Sequence, residues 1–199
     1  MALSALRTDA ARTVEACRPM SVTSTSVPTG TWAVDPAHSK VGFSVKHMGI
    51  ATVRGEFTDF DGTLEIGDGI TASGSVRAAS VDTNEQGRDE HLRSPDFFHA
   101  DEHPELTFTS TRIQADGDDE FTIVGDLTIH GVTREVQLKA EVQGVDVDPW
   151  GNERVGLEVT GQINRGDFGM TFNQALGSGN LLVSDKVKLA LDISAVKQA

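Results

Sequence analysis

The chain has 199 residues, 38% of them hydrophobic and 24% charged, which suits one soluble domain with a substantial core. Its formal net charge of −13 argues against nucleic acid or an anionic membrane as a standing partner, because either polyanion would be repelled. The single cysteine, Cys17, rules out an intrachain disulfide framework and a cysteine-built metal site, and 20 glycines lean towards a turn-rich β chain.

Residues 1–30 read as a flexible N-terminal extension. The first twenty carry a short amphipathic pattern, and "SVTSTSVPTG" after them is a Ser/Thr linker closed by Pro28 and Gly30. No apolar run of signal-peptide length is present, nor any later stretch long enough to span a membrane. A cytoplasmic protein that is not integral to a membrane is therefore expected.

The folded domain is predicted over 31–199, and its signal is period two. "REVQLKAEVQGV" places Val136, Leu138, Ala140 and Val142 on one face, with Glu135, Gln137, Lys139 and Glu141 on the other. "RVGLEVTGQIN" and "DKVKLALDI" repeat the alternation. So do "KVGFSVK", "GEFTDFDGTLEI", "GITASGSVRAASV", "ELTFTSTRI" and "FTIVGDLTI". About eight strands result, with turns expected at Asp61-Gly62, Asp116-Gly117 and His130-Gly131. One-sided alternation throughout implies antiparallel pairing around one core, hence an all-β barrel or sandwich.

Two stretches break the rhythm. Residues 84–94, "NEQGRDEHLRS", predict a short helix ending before Pro95. Residues 164–180, "NRGDFGMTFNQALGSGN", predict a long irregular loop with a helical turn, pinned by Arg165 and Asp167 while Phe168 and Met170 dip inward. Strands of about a dozen residues at ~3.3 Å each make a deep barrel. Its inward positions include Gly55, Gly62, Ala72, Gly74, Ala78, Gly125, Ala140 and Gly161. Periodicity leaves two readings open: these small residues make room for a ligand, or they match large partners opposite.

The stretch "DEHLRSPDFFHADEHPELTF" concentrates His91, His99 and His103 among carboxylates. Asp89 and Arg93, four apart on a helix, suggest an ion pair. His91 falls on another helix face, and His99 and His103 lie beyond Pro95. With no HExxH or CxxC spacing, solvated histidines at a barrel rim are expected rather than a metal site. Phe97 and Phe98 read as a plug for one barrel end, as the greased rim of a ligand entrance, or as core packing alone. His38, His47 and Asp35 lack the elbow or oxyanion signature of a catalytic triad, and His38 is assigned to the bend between the first two strands.

In order and spacing, "TWAVDPAHSKVGFSVKHMGIATVRGEF", "SVDTNEQGRDEHLRSPDFFHADEHPELTFTS", "GDLTIHGVTREV" and "NRGDFGM" resemble the YceI-like proteins, also described as polyisoprenoid-binding proteins. The resemblance covers about residues 31–196. It implies an antiparallel lipocalin-like β-barrel, with a short helix and an irregular loop at one end, holding a long isoprenoid or similar amphiphilic chain. Catalysis is not an established family activity, so no enzyme and no required cofactor are expected, and a homodimer is a family analogy.

The function read from the sequence is therefore non-enzymatic binding, storage or transport of an isoprenoid lipid or isoprenoid quinone. Chain contacts are assigned to Phe43, Val45, Phe57, Phe60, Phe98, Phe108, Phe121, Leu127, Leu138, Leu157, Phe168, Met170 and Leu189. The polar end is assigned to His38, His47, Arg54 and Arg165, with a structural role as the alternative for each. The alternatives are a metal-dependent enzyme using His91, His99 and His103, or a filled-core, stress-related structural protein.

Overall fold

The computed structural model describes residues 27–177, 179 and 181–199. The amphipathic pattern over the first twenty residues, Cys17 and most of the predicted extension lie outside the described residues. From the extension's end, Val27 is buried in the core.

Alternating apolar and polar residues form β1 (Gly30–Val34), β2 (Lys40–His47), β3 (Ala51–Phe57), β4 (Phe60–Ile66), β5 (Ile70–Arg77) and β6 (Val81–Asp82). Helix α1 (Gln86–Arg93) follows, then β7 (Glu105–Ala115), β8 (Glu120–Ile129), β9 (Val132–Val147), β10 (Glu153–Asn164) and β11 (Val183–Lys197). All pairings are antiparallel. The order is β1-β4-β5-β7-β8-β9-β10-β11, and β1 pairs again with β11, closing a barrel of eight strands. The first half of β11 instead pairs with β2, which carries β3 and β6. β1 and β2 are thus two arms of one bent strand, broken by a 3₁₀ turn at Pro36–His38 whose Asp35 carboxylate accepts from Ala37 N at 3.0 Å.

"GEFTDFDGTLEI" is not one strand. The chain breaks at residues 58–59, where Thr58 N donates to Ser80 O at 3.2 Å and Asp59 O accepts from Arg77 N at 2.9 Å. Asp61-Gly62, expected as a turn, lies inside β4: Gly62 faces Gly74 across the ladder, and a Cβ there would meet a Val34 methyl at 3.0 Å. His130-Gly131 is the two-residue hairpin expected, with φ of 52° and 72°, the left-handed pair that such a turn requires.

The barrel has two unlike ends. The lower end gathers the start of β1, the β4–β5 and β7–β8 turns and the β9–β10 hairpin. The upper end gathers the β2–β3 turn, residues 78–104, the β8–β9 turn and the loop before β11. Two apolar clusters divide the core accordingly. The lower holds Trp32, Phe121, Leu138, Ala140, Val155 and Val159; the upper holds Phe57, Ala78, Val81, Ile129, Ile163, Phe168 and Met170.

Candidate functional site

The inward positions assigned as chain contacts all belong to the core wall or its upper stopper. Phe121 and Leu138 lie in the lower cluster, with Phe108 and Leu157 packed against it. Phe57, Phe168 and Met170 lie in the upper, with Phe43, Phe98 and Leu127 against it. Leu189 touches both clusters. Val45 faces Val53 and Val187 in the sheet, and Phe60 is buried opposite Val76. Phe98 meets the Phe57 ring edge-on at 5.5 Å, and Phe97 is buried beside Phe172, so both rings are packed into the upper cap.

Three of the small inward residues are taken up by large neighbours. A Cβ on Gly55 would lie 2.5 Å from the Phe43 ring, one on Gly125 would lie 2.5 Å from the Phe108 ring, and the Leu138 side chain covers Gly161. The glycines therefore let big side chains fold flat against the wall, which fills the middle of the barrel. Open volume remains at the lower end, where a cavity of about 50 Å³ is lined by Val27, Leu64, Ile66, Ile70, Ile113, Phe121, Ile123, Ala140, Val142 and Leu157. Every one of these side chains is apolar. Only Phe121 and Leu157 of this lining were assigned as chain contacts from the sequence; the alternation puts the other strand residues inward without saying which end is open, and Val27 comes from the segment read as a flexible extension.

The four residues assigned to a polar ligand end are not assembled into one site. His38 is exposed at the β1–β2 bend, its Nδ1 2.8 Å from Asp35 Oδ2, while His47 closes β2 at the opposite end. Arg54 is exposed on β3 opposite Ser44. Arg165 is buried and structural. Its guanidinium donates to Met170 O and Phe172 O, both at 2.8 Å, to Ser184 O at 3.2 Å and to Asp185 at 3.1 Å. The expected pinning of the loop is therefore Arg165's work, with Asp185 rather than Asp167 as its carboxylate partner.

A charged clamp that the sequence did not disclose closes the lower flank. Arg154 on β10 donates to Asp148 at 2.9 Å, to Asp35 at 2.8 Å and to Ser194 Oγ at 3.3 Å. It thereby joins the β9–β10 hairpin to the β1–β2 bend. Arg154, then His38, hold the Asp35 carboxyl down at about 2, and Asn152 and Arg154 hold Asp148 well below the usual carboxylate range. Carboxylates with depressed folded-state pKa stabilise the protein above their unfolded value near 4, and that stability is lost as pH falls through the folded value. Arg154→Met is accordingly expected to lower the melting temperature at pH 7 and to flatten its fall between about pH 5 and 2. Parallel pH–stability curves for variant and parent would contradict this account.

The helix and its following turn settle the remaining expectations. Asp89 does not pair with Arg93. It is buried and accepts from Thr83 N at 2.9 Å and Thr83 Oγ1 at 2.5 Å, while Arg93 donates to Ala79 O and Val81 O. Four-residue spacing made the pair geometrically available, but unpaired backbone groups beside the helix claimed both side chains. An open depression of about 520 Å³ lies here, and its polar lining suits water rather than an apolar chain. His91 bonds Asp96 at 2.8 Å and packs edge-on against Phe97 and Phe172. The His91/His99/His103 trio is thus not assembled; His99 and His103 are instead joined by His130 from the β8–β9 turn.

Comparison with known proteins agrees with this architecture. The YceI-like domain profile matches residues 32–195. Protein YceI of Shigella flexneri is 41% identical over 165 residues, covering 81% of this chain and 83% of that protein. The crystal structure of a Campylobacter jejuni YCEI protein is 32% identical and superposes with a TM-score of 0.68, covering 83% of this chain and 96% of that one. A polyisoprenoid binding domain from Saccharophagus degradans, 16% identical, shares the fold with a TM-score of 0.66 over 84% of this chain and 98% of that one. The closed barrel, its aromatic cap and a match spanning nearly the whole described region place this chain in the YceI-like domain family.

Proposed function

We propose that this barrel binds a long-chain isoprenoid lipid or isoprenoid quinone, without catalysis, and stores or carries it. The observation that carries the reading is the lower mouth: a cavity walled only by apolar side chains and continuous with a core of the same character. Burying a chain there would gain roughly 25 cal/mol per Å² of apolar surface, which survives the ordering costs only for a long guest. At about 50 Å³ the resting cavity admits only the tip of such a chain. Entry requires the side chains that cover Gly125 and Gly161, Phe108 and Leu138, to swing from the wall. The related polyisoprenoid binding domain shares this fold and lends the lipid class its support.

The β9–β10 hairpin runs past the mouth and leaves Val147 and Trp150 exposed, Trp150 to 80%. Among the described residues no helix is long and apolar enough to cross a membrane. We place lipid pick-up at this hairpin. Trp150→Ala is expected to slow transfer of a fluorescent prenyl lipid from neutral vesicles about tenfold, the cost of roughly 1.4 kcal/mol of lost apolar contact, with the final occupancy unchanged. An unaltered transfer rate would move the entry point elsewhere.

The decisive experiment is mass spectrometry of an organic extract from freshly purified protein, compared with an unrelated barrel from the same host. One enriched prenyl chain or quinone is expected. Ala140→Leu, which fills the cavity, is expected to lose at least nine-tenths of that lipid while stabilising the empty barrel by about 0.5–1 kcal/mol. An extract indistinguishable from the control would overturn the reading in favour of a filled core, and full lipid retention in Ala140→Leu would overturn this cavity as the binding place.

A further inference from the structure

We propose that His99, His103 and His130 form a binding site for one divalent transition-metal ion, zinc by preference, that fastens the barrel's upper cap to the β8–β9 turn. The ligand nitrogens of the three rings all lie within 4.8 Å of one another, and each ring is half-buried. Tetrahedral zinc with Zn–N bonds of about 2.0–2.1 Å sets its nitrogens about 3.4 Å apart, so small χ rotations complete the site.

The backbone supplies the convergence. His103 N donates to His99 O at 2.8 Å, winding residues 99–103 through a helical turn that puts both rings on one side. His130 comes to them from the hairpin turn, its ring centroid 5.1 Å from that of His103 and 6.1 Å from that of His99. His103 lies directly over Gly131, where a Cβ would meet its Cε1 at 2.7 Å. Only a glycine lets the two segments approach this closely.

Two further observations point to the rings themselves. His99 and His130 have φ of 48° and 52°, a conformation that glycine or asparagine adopts at lower cost. At His130 the hairpin itself requires this geometry, and at neither position does it select histidine over asparagine or glycine. The outer nitrogens also have partners. His130 Nδ1 lies 3.3 Å from Phe168 O, so it carries the proton and leaves Nε2 as a lone-pair donor. His99 Nδ1 lies 3.5 Å from the exposed carboxylate of Glu102, an ion-pair distance rather than a hydrogen bond.

Three neutral imidazoles without thiolate suit zinc, copper or nickel and do not suit magnesium or calcium. The fourth position is left to water, and the acidic protein as a whole attracts cations. The competing structural reading is an aromatic cluster: the three rings also meet near edge-on or tilted, as packed aromatics do.

The test uses the full chain without a histidine tag, stripped by chelator and carrying Cys17→Ser so that no thiol competes. Zinc titration by calorimetry is expected to give one ion per chain, a melting temperature that rises with zinc, and a cobalt form with the visible spectrum of a nitrogen-ligated four-coordinate ion. His99→Asn and His130→Asn keep the left-handed backbone acceptable and should each weaken binding at least 100-fold. His103→Gln repeats the test at a position with no backbone strain. His91→Gln should leave zinc affinity and stoichiometry unchanged. No stoichiometric ion in the parent protein, or an ion retained after both asparagine changes, overturns the site and leaves an aromatic cluster. Loss of binding in His91→Gln equal to that in His99→Asn overturns it as well.

Discussion

Arg165→Met is expected to remove about 3 kcal/mol from the unfolding free energy, a large share of the roughly 5–15 kcal/mol that a domain of this kind possesses. The guanidinium is almost wholly buried and serves three carbonyls and one carboxylate, so its loss strands Met170 O and Phe172 O away from water. Arg165→Lys should recover less than half of the loss, because a single ammonium cannot reach groups arranged around a planar fork. Urea denaturation monitored by circular dichroism measures both. Near-parental stability in the lysine variant would show that charge, not the fork, is what the site requires.

Phe168→Ala is expected to cost about 3–5 kcal/mol, the usual toll for emptying a fully enclosed aromatic position. Phe168 is only 1% exposed and stands at the centre of the upper cluster. It follows Arg165 by three positions in one 3₁₀ turn (Arg165–Phe168), so the two substitutions should not add. The double variant is expected to lose less than the sum, since either change alone already frees the loop. Strict additivity in a double-mutant cycle would mean that loop and cap are held independently.

Much of the barrel was legible because its strands are one-sided. Val136, Leu138, Ala140 and Val142 of β9 face inward as the alternation requires, and β10 and β11 obey the same rule. Alternation is a local property, and it fails where a distant partner decides. Gly62 resembled a turn glycine until Gly74 was seen opposite it. Whether the other glycines made a void or a bed for large side chains depended on Phe43, Phe108 and Leu138, each far along the chain. The same limit hid the histidine group. His99 and His103 show a four-residue spacing, but the third ring comes from a hairpin turn whose only local message was tight geometry. Arg154 likewise joins Asp35 across 119 residues, beyond any windowed pattern.

If the barrel takes the proposed guest, its unlike ends make it a vessel with one port. The upper end is stoppered by Phe57, Phe97, Phe98 and Phe168, whereas the lower end opens through hydrocarbon walls. A threadlike guest in such a vessel must leave by the way it came, tail first in and tail last out, with its head always at the rim. Whatever delivers the guest and whatever collects it would therefore meet the protein at the same face and compete for it. On that proposal, loading and unloading would be alternating events at one doorway rather than successive stations along a tunnel.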